Sequence, residues 1–168
     1  TLTPSPFTGT RDIANKAGRV EWSIGWPIDE DGYFNSYCNT IPTPEGGTHE
    51  TGLKSAINRG LKNYGELIKN KAASRINAED ILGSACIMLS IFIDNPQFQG
   101  QTKEKLATIE AHKLVENAIS DLFDHWVSAD PERSRGLLEY AIERSSERLK
   151  RKQDKILKAE LIFNYPMV

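Results

Sequence analysis

Val20, Trp22, Ile24 and Trp26 alternate with Glu21, Ser23 and Gly25, the period of a strand with one buried face. After the Asp29-Glu30-Asp31-Gly32 turn, Tyr33 to Ile41 reads as a second strand, so residues 19–41 are predicted to form a hairpin. Pro42 and Pro44 end it. Gly46-Gly47 permits positive φ, and Thr48 is the predicted N-cap of a helix. Leu53, Ala56, Ile57, Leu61, Tyr64 and Ile68 then recur at helical spacing as a buried stripe. Residues 1–18 hold Pro4, Pro6, Gly9 and Gly18 with few apolar side chains, and read as an N-terminal linker.

Asn77-Ala78-Glu79-Asp80 has the form of a helix start. Ile81, Leu82, Ala85, Cys86, Met88, Leu89, Phe92 and Ile93 fit either a buried helix or a central strand. Gly83 and Ser84 favour a short helical turn followed by a strand, although periodicity alone leaves both open. Leu114, Val115, Ala118, Ile119, Leu122 and Trp126 predict a helix from Glu110 to Ser128. Asp130-Pro131-Glu132 starts the next, which carries Leu137, Leu138, Ala141 and Ile142. Beyond Ser145 basic residues outnumber acids and the apolar stripe thins, as in a solvated helical arm over 146–160. Residues 161–168 form an atypical apolar tail.

At 168 residues the chain can bury a core without disulfides or metals, and a net charge of −2 with 39% hydrophobic residues points to no polyanion on average. Cys38 and Cys86 are far apart among apolar or β-type neighbours, and are expected to be buried free thiols in a reducing compartment. The absence of a membrane-length apolar run and of a signal peptide predicts a soluble, cytoplasmic protein. The opening Thr1 suggests a piece of something longer. His49, His112 and His125 lack metal-ligand spacing, and neither a nucleophile motif nor a Walker loop occurs, so a free-standing hydrolase has little support.

Two features carry candidate chemistry. Asn95-Pro96-Gln97-Phe98-Gln99-Gly100-Gln101-Thr102-Lys103 follows an apolar segment and ends on one amide and one amine. Lys103 offers a compact positive charge and Gln101 an amide that both donates and accepts, which together suit a phosphate. An ordinary polar turn is the plainer reading. From 51 to 75 there are six basic residues, Lys54, Arg59, Lys62, Lys69, Lys71 and Arg75, against Glu66, a local balance of +5. That face is either a solubilising surface or one that meets nucleic-acid phosphate.

Tyr37-Cys38-Asn39-Thr40-Ile41-Pro42-Thr43, Glu45-Gly46-Gly47-Thr48-His49-Glu50 and Asp94 to Lys103, in this order, resemble the transducer domain of bacterial type IIA topoisomerase ATPase subunits. These are the B subunits of DNA gyrase and topoisomerase IV. Ile41-Pro42-Thr43-Pro44 and the Tyr37-Cys38-Asn39 form of the second strand lean toward the topoisomerase IV branch. The resemblance implies an α/β (α+β) fold: a mixed four-stranded sheet backed by helices, with a left-handed βαβ crossover and a long C-terminal helix. It implies a transducer over 19–145, beside an ATPase domain that this chain lacks. Gln101, Thr102 and Lys103 would then reach the neighbour's nucleotide site, with Lys103 on the γ-phosphate of ATP and Gln101 placing the phosphate or the attacking water. Mg²⁺ would be held by the neighbour, and no metal by this chain. Without that neighbour the loop is expected to be mobile. Lys54 matches a basic residue lining a DNA passage, with Arg59 and Lys62 as further DNA-facing candidates. The implied partners are the ATPase domain, a DNA-cleaving A subunit, double-stranded DNA and a second copy. The implied activity is that of an ATP-hydrolysing type II topoisomerase, an isomerase, without turnover by the domain alone. The rival reading is a self-contained module binding nucleic acid or protein on the same fold.

Overall fold

The strand that arrives last in the chain sits at the centre of the sheet. The computed structural model describes residues 2–13 and 18–164. Five strands, β1 (Phe7–Ile13), β2 (Gly18–Gly25), β3 (Tyr33–Cys38), β4 (Ile41–Pro42) and β5 (Cys86–Phe92), lie in the order β1-β2-β5-β3-β4. β5 is antiparallel to β2, pairing Leu89 with Trp22, and parallel to β3, pairing Leu89 with Ser36. The sheet is therefore mixed, as expected, but has five strands where four were expected.

The predicted hairpin over 19–41 does not form, because β5 lies between its two arms. The reason is burial. Ile87, Leu89 and Ile91 are at most 1% exposed, and so apolar a segment gains most from neighbours on both edges. The short helical turn read before it is present as α2 (Ala78–Leu82), closed by a reciprocal capping box between Asn77 and Asp80.

Residues 7–13, read as linker, form the edge strand β1 paired with β2. Its alternation is hidden in the sequence because Gly9 occupies an inward position opposite Trp22, where a Cβ would overlap the indole ring. Phe7 and Ile13 supply the apolar ends. Residues 14–17 and 165–168 lie outside the described residues.

One sheet face carries Val20, Trp22, Ile24 and Trp26, all buried, and the alternate positions of β2 are partly exposed. Helix α1 (Thr48–Leu67) packs against α3 (Ile109–Ala129), which also meets β1. Phe123 lies 5.2 Å from Phe7 and Trp126 5.9 Å from Trp26, ring centre to ring centre, and the Trp26 indole N–H donates to the Ile81 carbonyl at 2.9 Å. Thus the polar handle of the tryptophan is satisfied inside the core. Helix α4 (Pro131–Asn164) starts as read, with the Asp130 carboxylate accepting from the Arg133 N–H at 3.2 Å. Ser145 is its last buried residue, and from Lys150 to Asn164 it is exposed. Of the tail read over 161–168, residues 161–164 continue this helix. Cys38 is buried and Cys86 only partly so, both free. Among the described residues no helix is long and apolar enough to cross a membrane.

Candidate phosphate-contacting loop

Between β5 and α3 the chain closes on itself as a miniature hairpin. The Ala107 N–H donates to the Gln97 carbonyl at 2.7 Å and the Gln99 N–H to the Lys105 carbonyl at 2.8 Å. The Gln97 N–H donates to the Thr108 hydroxyl oxygen at 2.8 Å. Residues 100–104 form the tip. Gly100 and Lys103 turn it with φ of 82° and 58°, the second in a left-handed region that non-glycine residues enter only at a cost. Gln101, Thr102 and Lys103 are all exposed, and none of their side chains takes part in a hydrogen bond or ion pair among the described residues. The neck gives the loop backbone anchors up to Gln99 and Lys105, while the tip side chains have none among the described residues.

The neck is itself fastened to the start of α1. The Leu106 N–H donates to the Gly46 carbonyl at 3.0 Å, the Thr48 N–H to the Leu106 carbonyl at 3.1 Å, and the Glu45 N–H to the Glu104 carbonyl at 3.0 Å. Gly47 has φ of 142°, and a Cβ there would overlap the Leu106 carbonyl oxygen. Both the backbone angle and the close approach call for glycine. Gly47 is also the N-cap of α1, so Thr48 does not cap the helix as predicted; its hydroxyl donates to the Thr108 carbonyl at 2.6 Å.

Beneath this turn lies a chain of buried polar groups. His49, 0% exposed, places Nε2 at 3.0 Å from the Thr43 hydroxyl, which lies 2.7 Å from the Ser36 hydroxyl, which in turn donates to a Glu50 carboxylate oxygen at 2.5 Å. The carboxylate accepts only, which sets the direction of every hydroxyl. The His49 Nε2–H therefore donates to Thr43, and the lone pair on Nδ1, which has no partner, costs less there than an unmet N–H. Burial holds the His49 imidazole down at a pKa of about 4. The Glu50 carboxyl is pushed above its ordinary range by burial, opposed by the Ser36 hydroxyl and by Lys54.

The three DNA-facing candidates do not form one cluster. Lys54 lies 5.7 Å above the Phe34 ring and lines a cleft of about 470 Å³ with Glu45, Glu50, Gln99 and Lys105, beside the loop neck. Arg59 forms an ion pair with Glu116 of α3, which is 3% exposed. Burial would raise the Glu116 carboxyl, but the Ser55 and Arg59 hydrogen bonds and the charges of Arg59 and Lys113 hold it below the ordinary range. Lys62 belongs to a separate basic cleft with Lys69 and Lys71. Of the histidines, His112 bridges Thr51 and Glu116 at 2.8 and 3.1 Å. The part played by Leu106 and Thr108 goes unseen in the sequence; a threonine directly before an apolar helix start is ordinarily read as a cap and nothing more.

The sequence profile of DNA gyrase B matches residues 1–156. The B subunit of DNA topoisomerase 4 from Bartonella bacilliformis is 54% identical over 154 residues, and that from Caulobacter vibrioides 50% over 159, each covering 92% of this chain. The chain spans 22% and 23% of the length of these curated relatives. Among solved structures, the topoisomerase IV ATP-binding domain of Francisella tularensis superposes with a TM-score of 0.78 at 34% identity, covering 88% of this chain and 41% of that one. The 43K ATPase domain of Thermus thermophilus gyrase B gives 0.77 at 25% identity, covering 90% and 41%. With the profile running from the first strand into the exposed arm, and half of the aligned residues shared, the chain belongs to the DNA gyrase B family of type IIA topoisomerase subunits.

Proposed function

We propose that this domain is the transducer of a topoisomerase IV-type B subunit, sensing nucleotide held by an adjacent ATPase domain. The observation that carries this reading is the tip: an exposed amine and amide, free of internal partners among the described residues, raised on an ordered neck. An ammonium with three donors beside an amide matches the oxygens of a terminal phosphate. Lys103 makes this contact only while the γ-phosphate is present, so ATP and its product favour different angles between the two domains. The continuous helix α4 carries that difference toward the DNA-cleaving part of the enzyme, which in this reading includes an A subunit and a second copy of the B subunit. Magnesium would be held by the ATPase domain. The enzyme so assembled is an ATP-dependent isomerase of double-stranded DNA, working inside the cell where its substrate is.

The test is Lys103→Ala in the full-length subunit. We expect ATP turnover to fall roughly 10²-fold, as when one preorganised donor to a developing charge is removed, with strand passage falling alongside. The domain itself should remain folded, since the exposed side chain makes no hydrogen bond or ion pair among the described residues. Wild-type turnover overturns the assignment.

A further inference from the structure

Two threonines lie at helix starts, Thr108 as an N-cap and Thr48 one residue inside, and neither hydroxyl caps a helix. Thr108 is the N-cap of α3, yet its side chain takes no N–H of that helix. It accepts the Gln97 N–H, at the far side of the loop neck. Thr48, the first residue of α1, turns its hydroxyl to the Thr108 carbonyl, leaving Gly47 as a cap without a side chain. A cap hydroxyl turned away from its own helix, beside a second hydroxyl turned the same way, is the mark of a second demand on those residues. Here the demand is visible: every diverted group holds the Gln97–Thr108 hairpin against the starts of α1 and α3.

We propose that the Gly46–Gly47 turn, Thr48 and Thr108 form a socket that aims the Gln101–Lys103 tip at its phosphate, making Gly47 and Thr108 positioning residues for nucleotide sensing. This rests on the reading of Lys103 as a γ-phosphate ligand. Productive geometry tolerates deviations of roughly 0.5 Å, and a tip hung on a loose connection would have to be ordered anew by each nucleotide. The socket orders it beforehand. It also determines where a pull on Lys103 is felt. Through Leu106 and Thr108 the pull reaches the N-termini of α1 and α3 together, and these two helices pack on each other. The buried chain from His49 to Glu50 lies under the same turn and keeps the socket floor in place.

The experiment compares affinities of the full-length subunit for β,γ-imido ATP and for ADP by calorimetry. ADP has no γ-phosphate, so the change in this ratio between variants isolates the contact made by the tip. Lys103→Ala, Thr108→Val and Thr108→Ser are measured beside wild type. We expect Lys103→Ala to reduce the preference for the triphosphate roughly 10²-fold and Thr108→Val to reduce it roughly tenfold, a misplaced contact rather than a missing one. Thr108→Ser, which keeps the hydroxyl, should retain the wild-type preference. Affinity for ADP should be unchanged throughout, an outcome that general destabilisation would not give. If Lys103→Ala loses the preference and Thr108→Val keeps it, the socket is overturned while the phosphate contact stands. If Lys103→Ala keeps it, the phosphate contact falls and the socket falls with it. Should Thr108→Val not fold, Thr48→Val, which removes the hydroxyl bond to the Thr108 carbonyl, is read by the same ratio and decides in the same way.

Discussion

The Arg148 guanidinium bonds the Asp80 carboxylate through Nε and Nη2, each at 3.1 Å, across 68 residues of sequence. The same Nη2 donates to the Arg75 carbonyl at 2.9 Å, and Asp80 also accepts the Asn77 N–H in the capping box of α2. One side chain thus ties α4 to α2 and to the 3-10 turn Lys71–Arg75, three residues after α4 makes its last buried contact at Ser145. Asp80→Ala removes the carboxylate half of the capping box, keeps the Asn77 cap on its own N–H, and leaves Arg148 without its anion. We expect a loss of about 2 kcal/mol from the two charged hydrogen bonds and half of the capping box together, measured by urea unfolding. Stability unchanged from wild type would mean that the arm is held in some other way.

His49 gives stability a pH dependence of definite sign. Its imidazole is neutral in the folded protein, with a pKa of about 4 against 6.5 when free, so only the unfolded chain takes up a proton between those values. Its contribution is present above pH 6.5 and is lost as pH falls toward 4, with a limiting slope of about 1.4 kcal/mol per pH unit. Glu50, raised by burial, acts in the opposite sense and is common to both proteins in a comparison of wild type with His49→Gln. The difference in unfolding free energy between the two should therefore shrink on acidification through this window. A difference constant with pH excludes a neutral buried imidazole.

The two thiols should react in order. Burial pushes the Cys38 pKa up to about 11, leaving almost no thiolate, the reactive form, at neutral pH. Cys86 is partly exposed at the start of β5. Iodoacetamide at about pH 8 should label Cys86 first and Cys38 only on unfolding, as read by peptide mass spectrometry. Early labelling of Cys38 would show that the β3 end of the sheet opens locally.

Arg59 and the lysines of α1 should separate under mutation. Arg59→Ala leaves the buried Glu116 with Ser55, His112 and Lys113 but without its guanidinium partner, and we expect a loss of about 2 kcal/mol. Since the Glu116 pKa is depressed, this contribution exists above pH 4.5 and fades below it. Lys54→Ala with Lys62→Ala should change stability by only about 0.5 kcal/mol per site. If these lysines line a DNA path, the same pair weakens DNA stimulation of ATP turnover at low salt and not at high salt. Stimulation unchanged at low salt assigns both lysines to hydration.

Legibility in the sequence followed the physics of each element. Helices α1, α3 and the start of α4 are readable because each buries one apolar stripe, and α4 also carries its own start signal in Asp130-Pro131-Glu132. β2 and β3 are readable as strands, but their partnership is not, since pairing is decided by β5, far beyond β3 in the chain. β1 is hidden because a glycine takes the place of an inward side chain. At the candidate site the chemistry of Gln101 and Lys103 stands out, as do the two glycines. Their connection does not. It is made by backbone groups of Leu106 and by hydroxyls doing something other than capping, and neither leaves a mark in residue order.

The placement of β5 has a consequence for how the molecule is made. Until Phe92 has emerged during synthesis, β2 and β3 each wait with an unmet row of peptide groups, and only the outer pairs β1–β2 and β3–β4 can zip early. Insertion of the last strand closes two seams at once, a long-range step that is intrinsically slow and exposes sticky edges meanwhile.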